Sequence, residues 1–158
     1  MYYFTADEHY GHTNILKYCN RQFKDVSHMD NELIKNHNSL VKENDTVFHL
    51  GDFTLKNINL ANQYLARLNG KHIFIKGSHD NWNKDLPYIL EFKDGDTHIV
   101  MCHYAMRVWP RAHYGSIQLY GHSHGRLEPL GKQYDVGVDN NNFYPVSLEQ
   151  VLKKTLNK

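Results

Sequence analysis

Apolar residues along this chain fall in short blocks, and most blocks stop at a glycine, an aspartate or a histidine. Tyr2 to Ala6 is a short aromatic run that stops at Asp7, the pattern of a buried strand. Thr46 to Leu50 stops at Gly51, His72 to Lys76 at Gly77, and Ile117 to Tyr120 at Gly121. Ile89 to Lys93 and Thr97 to Cys102 flank Asp94 and Gly95, a turn pair that predicts a hairpin. Tyr134 to Val138 alternates and predicts a further strand. Helical spacing lies between these blocks. Asn14 to Tyr18 predicts a short helix. Ser27, three residues before Asp30, opens a longer one with apolar positions at Leu33, Ile34, Leu40 and Val41. Leu60 to Leu68 predicts a helix stopped by Asn69 and Gly70. Ser147 to Leu156 predicts another, with Gln150 completing a capping box and Leu148, Val151, Leu152 and Leu156 along one face. Strands alternating with helices early, then mostly strands, predict a layered α/β or α+β domain over residues 1–158.

Composition narrows the functional classes. A chain of 158 residues can bury a core without staples, and 41% hydrophobic with 22% charged residues is ordinary globular usage. A formal net charge of +1 supplies no broad basic field, so extended nucleic acid is not the expected partner. The two cysteines, Cys19 and Cys102, sit in unlike contexts, which points to a reducing, cytoplasmic compartment. No apolar run reaches membrane-spanning length, and the first residues lack the basic start of a signal peptide. Twelve histidines form the unusual count, and histidine is the commonest metal ligand.

Their positions carry the chemistry. Asp7 and His9 follow the first strand, and Gly51 and Asp52 the second. Gly77, Ser78, His79 and Asp80 follow the third; His103 ends the hairpin strand; Gly121, His122, Ser123 and His124 follow the next. Loops at strand ends of layered α/β domains gather in one crevice, so these acids and imidazoles are expected together. Gathered carboxylates repel unless cations neutralise them. A mixed Asp/His set suits a pair of divalent Mn, Fe, Zn or Ni ions, with manganese favoured.

The order Asp-x-His, Gly-Asp, Gly-x-His-Asp, a lone His and Gly-His-x-His closely resembles the calcineurin-like metallophosphoesterase family, in particular its small uncapped bacterial and phage branch. The resemblance runs from Asp7 to His124 and also takes in the MYYFTADEHYGH start and the DVGVDNNNFYPVSLE ending. It implies a metallophosphoesterase-type β-sandwich flanked by helices. It further implies one metal on Asp7, His9 and His124, a second on His103 and His122, and Asp52 bridging both. His79 would protonate the leaving group, and Asp80 would orient its ring. Two cations roughly 4 Å apart clamp an in-line displacement and ready a bridging water for attack. The implied activity is hydrolysis of a small-molecule or nucleotide phosphoester, a diester before a monoester. The alternatives are a non-catalytic scaffold on the same fold, or a nuclease. One position departs from the pattern: Ser78 stands where the family places an Asn ligand, which predicts a weaker second metal site and reduced activity.

Other residues have plainer readings. His49 reads as a satisfied core histidine, and His37, His72 and His98 as ordinary element-interior residues. His28 reads as a surface residue and Cys102 as a small buried hydrophobe. His12 either lines the site or sits in a turn. Arg107 and Arg111 either hold the far part of a phosphate substrate or belong to a solvated loop over Trp109.

Overall fold

The computed structural model describes residues 1–156. β1 (Tyr2–Thr5) is buried along most of its length and runs parallel to β2 (Thr46–His49), with Phe4 opposite Phe48. β3 (Lys71–Phe74) extends the sheet in parallel beyond β2. A two-residue strand near the C-terminus, Val146–Ser147, closes the other edge antiparallel to β1. The second sheet has the order β4 (Ile89–Asp94), β5 (Thr97–Cys102), β6 (Ile117–Tyr120), β7 (Gln133–Asp135). Only β4 and β5 are antiparallel; β5, β6 and β7 are parallel. The Val146–Ser147 strand becomes β8 in chain order.

The sheets face each other across one core. Phe4, Phe48, Leu50 and Ile75 from the first meet Ile99, Met101, Ile117 and Leu119 from the second. Phe4 and Phe48 stack with centroids 5.4 Å apart, and Phe92 reaches across to Phe48 at 5.2 Å. Each such fully buried side chain contributes roughly 1.5–3 kcal/mol relative to exposure. A second apolar cluster joins Met29, Leu33 and Ile34 to Tyr10, Phe53 and Ala61. It forms where α2 (Val26–Leu40) and α3 (Ile58–Leu65) pack near the loops after β1 and β2. The short α1 (Ile15–Tyr18) precedes them, and α4 (Leu148–Leu156) buries Val151 against the inter-sheet core. No helix among the described residues is long and apolar enough to cross a membrane.

Local chemistry places the boundaries, in four cases differently from the sequence expectation. α2 starts at Val26, because the Asp25 carboxylate accepts from the His28 N–H at 2.8 Å; Ser27 is not its cap. α3 is capped by Asn57, whose carbonyl accepts from Leu60 N at 3.1 Å, and it ends at Leu65. The hairpin loop is Gly95–Asp96, since Asp94 pairs with Thr97 and Gly95 takes the positive φ (55°) that a two-residue turn requires. β7 stops at Asp135, and Val138 begins a single 3-10 turn. The α4 capping box forms as expected: Ser147 N donates to Gln150 Oε1 (2.9 Å) and Gln150 N to Ser147 Oγ (3.2 Å).

Parallel pairing brings the strand ends together. Asp7 N donates to Gly51 O (3.0 Å) and His9 N to Asp52 O (3.0 Å). Gly121 N donates to His103 O (3.0 Å), and an Ala6–Gly137 bridge ties the two sheets at the same rim.

Candidate metal centre

Among the described residues nine non-glycine residues have positive φ, and five of them are Asp7, His9, Asp52, His122 and His124. Left-handed backbone at such residues costs on the order of 1–3 kcal/mol each and persists only where the surroundings impose it. Each of the five stands in the loop just past the end of a strand.

Two ligand sets result. Ligand atoms of Asp7, His9 and His124 lie within 4.8 Å of one another, as do those of Asp52, His103 and His122. Asp52 joins the sets: its Oδ2 is 3.6 Å from His9 Nε2 and 3.4 Å from His103 Nε2. Asp7 Oδ1, His9 Nε2 and His103 Nε2 are buried without a hydrogen-bond partner. Unpartnered buried polar atoms are costly, and carboxylate and imidazole atoms left so within two adjoining ligand sets fit divalent cations.

An outer ring sets which atom of each ligand faces the centre. His103 Nδ1 lies 2.7 Å from Leu50 O, which can only accept, so Nδ1 carries the proton and Nε2 offers its lone pair. His124 Nδ1 lies 2.7 Å from Asp139 Oδ2. Asp139 accepts from Arg21 Nε (2.8 Å) and Nη2 (2.7 Å), and Arg21 also donates to the carbonyls of Asp7 (2.6 Å) and Glu8 (3.0 Å). His12 Nδ1 stands 3.2 Å from His9 Nδ1, so His12 does line the site.

Burial and neighbouring charge divide the titrations. Burial pushes the Asp7 carboxyl up to about 7 and the His9 imidazole down to about 3. Burial also opposes ionisation of Asp52, but His103 and the His79 N–H outweigh it and hold that carboxyl far below the usual range. Burial opposes protonation of His103 and His124 as well. Asp52 and Asp7 raise His103 nonetheless, and Asp139 and Asp7 raise His124.

The third motif behaves differently from its expected division of labour. Ser78 Oγ donates to Asp52 Oδ2 at 3.0 Å, so it reaches the junction of the two sets. His79 Nε2 is 4.0 Å from Asp52 Oδ2, and its side chain is 46% exposed, open to the cleft. Asp80 does not orient the His79 ring. Its buried carboxylate accepts instead from Asp52 N (2.6 Å), Gly77 N (2.8 Å), Phe53 N (3.0 Å) and Trp82 Nε1 (2.8 Å). All four acceptor directions are used in clasping the β2 loop to the β3 loop.

The centre opens into a cleft of about 320 Å³. Arg107 and Arg111 do not line it. Their loop closes on itself through Trp109 Nε1 to Ser116 O (3.3 Å) and Ser116 Oγ to Pro110 O (2.6 Å). Arg111 lies over the Tyr114 ring at 5.5 Å, in a separate depression shared with Lys93 and His98. The guanidinium on the cleft is that of Arg126. Sequence reasoning missed Arg126, Arg21 and Asp139. The partners Arg21 and Asp139 are 118 positions apart, so no local pattern links them. His49 is a satisfied core histidine, with Glu8 Oε1 at 2.6 Å and His72 Nδ1 at 2.9 Å.

Two facing sheets with adjoining Asp/His ligand sets at one rim define a metal-binding sandwich of the phosphoesterase type. Residues 25–135 match the family model of the calcineurin-like phosphoesterase superfamily domain, and the chain belongs to that family. It is similar to an uncharacterised protein of Methanocaldococcus jannaschii, 34% identical over 96% of this chain and 89% of the relative. Its fold is similar to that of a protein of unknown function from Aquifex aeolicus (TM-score 0.78, 23% identity, 98% of both chains). It is also similar to wild-type Vps29 from Entamoeba histolytica in complex with zinc (TM-score 0.51, 17% identity, 86% of this chain and 72% of that one).

Proposed function

We propose that the protein is a metal-dependent phosphodiesterase acting on a small-molecule or nucleotide ester, with manganese as the favoured metal. The observation that carries this reading is Asp52 Oδ2 standing between His9 Nε2 and His103 Nε2, with Asp7 Oδ1 and both nitrogens buried and unpartnered. Asp7, His9 and His124 would hold one ion and His103 and His122 another, with Asp52 between them and Ser78 at its side. Ions held there would supply positive charge for the phosphate oxygens and would acidify a bound water.

The remaining chemistry belongs to the chain. Hydrolysis joins the oxygen of water to phosphorus, breaks one phosphorus–oxygen ester bond, and leaves an alcohol oxygen that needs a proton. His79, half-exposed and lining the cleft, would give that proton. Asp80 contributes at one remove, by holding the Asp52 and Gly77 backbone in place.

The second reading, a metal-binding scaffold without turnover, is favoured by one observation: Ser78 spends its hydroxyl on Asp52. One assay separates the two. Bis(nitrophenyl) phosphate is incubated with the protein, first stripped by chelator and then with manganese. Nitrophenolate release that appears only with metal supports the enzyme; tight metal binding with no release supports the scaffold.

A further inference from the structure

The cleft changes character along its length. At its inner end are the buried carboxylate and imidazole of Asp52 and His9; at its outer end the exposed Tyr18 and Leu55 form an apolar wall with one guanidinium, that of Arg126. Tyr18 ends α1 and is 66% exposed, and its ring meets that of His12 edge to face with centroids 6.1 Å apart. His12 in turn touches His9, so a single side chain separates Tyr18 from the ligand set. Arg126 Nη2 donates to Tyr18 O at 2.8 Å and lies 3.7 Å from Cys19 Sγ. Those contacts use one carbonyl and one thiol, so the guanidinium is held at the end of α1 with no carboxylate partner among the described residues.

A ligand matching this gradient carries an anionic group at one end and a flat, largely apolar ring at the other. Phosphate alone would fill only the inner end. A volume of about 320 Å³ is at the low end for small-molecule sites, enough for one nucleoside unit and not for a chain. Resting on the phosphodiesterase reading above, we propose that Tyr18, Leu55 and Arg126 form a nucleoside subsite. The base stacks on the Tyr18 ring, and Arg126 takes a phosphate oxygen.

The test uses two diesters with the same leaving group, the nitrophenyl ester of thymidylate and methyl nitrophenyl phosphate, on the manganese-loaded protein. Stacking of one base accounts for roughly 1–3 kcal/mol, so Tyr18→Ala is expected to raise KM for the thymidylate ester by about tenfold or more. KM and kcat for the methyl ester should stay unchanged, and Tyr18→Phe should restore the wild-type values. Arg126→Ala should raise KM for both esters. Equal KM for the two esters in the wild type, or a Tyr18→Ala change that affects both alike, overturns the subsite and leaves the phosphodiesterase reading standing. Should neither ester be cleaved, that reading fails, and calorimetry decides the subsite separately. Thymidylate binding about tenfold weaker in Tyr18→Ala than in wild type, with methyl phosphate unaffected, sustains it; equal binding overturns it.

Discussion

Replacing Asp80 by asparagine keeps the shape of the side chain and removes half of its capacity. Asp80 Oδ2 accepts from Asp52 N and Gly77 N, and Oδ1 from Phe53 N and Trp82 Nε1. An Asn amide presents one oxygen and one NH2, so either orientation aims NH2 at two N–H donors. The residue is 1% exposed, and water cannot replace the lost acceptor. Each buried donor left unpaired costs about 1–3 kcal/mol, so Asp80→Asn should cost about 2–6 kcal/mol. Small domains have about 5–15 kcal/mol in total, so this is a large share. At about 2–4 °C per kcal/mol for a chain of this size, Tm should fall by roughly 4–24 °C. Calorimetric melting of the chelator-treated wild type and variant measures it directly, without involving metal affinity. The alternative role, orienting the His79 ring, predicts the opposite profile, with turnover lost and Tm unchanged. An Asp80→Asn protein that melts within about 1 °C of wild type but turns over slowly would refute the clasp.

Three further outcomes follow from the same geometry. His79→Ala should lower turnover by about a hundred- to ten-thousand-fold, while metal content by elemental analysis stays at the wild-type level; loss of a metal equivalent would make His79 a ligand. Ser78→Asn should tighten the second site and raise hydrolysis at limiting manganese, because an amide oxygen reaches farther than a hydroxymethyl; coincident manganese titration curves would show Ser78 to be adequate. Asp7, raised to about 7 by burial, must ionise to bind a cation, so manganese affinity should be full above pH 7 and fall by about tenfold per unit below it. The raised His103 and His124 must also give up protons, which steepens the fall, and calorimetry at pH 6 and pH 8 showing equal affinity would contradict the assigned ligands.

The strands and the clustering of Asp and His residues at their ends were legible because parallel strands buried between layers read as unbroken apolar runs, and their ends as abrupt polar stops. β6 agrees with the sequence expectation to the residue at Ile117–Tyr120. Helix starts were less legible where two capping residues compete: Asp25 and Ser27 both suit the role, and only the Asp25 contact to His28 N decides it. The hairpin turn slipped by one residue because Asp-Gly and Gly-Asp share the same letters here, and pairing of Asp94 with Thr97 selects the second. Charged loop residues were least legible. Arg111 and Arg126 look alike in sequence, and only the self-closure of one loop and the tether to Tyr18 O in the other separate them.

The Asp80 clasp also explains why two of the motifs belong together. A Cβ on Gly51 would stand 2.5 Å from His103 Nδ1 and 2.6 Å from Gly77 Cα. A Cβ on Gly77 would run into the backbone nitrogen and carboxylate of Asp52. Contacts that close are not available to real side chains, so both glycines are required by the approach of two loops and by no property of either loop alone. Gly51 also carries φ of 96°, which an L side chain rarely adopts. Without either glycine the loops would separate, and the Asp80 carboxylate would lose Asp52 N and Gly77 N together. Asp52 would then be freed from the position between His9 and His103 on which both ligand sets depend. Gly-Asp and Gly-Ser-His-Asp are therefore one structural unit folded from two places in the chain, with Asp80 closing it and Asp52 facing the centre.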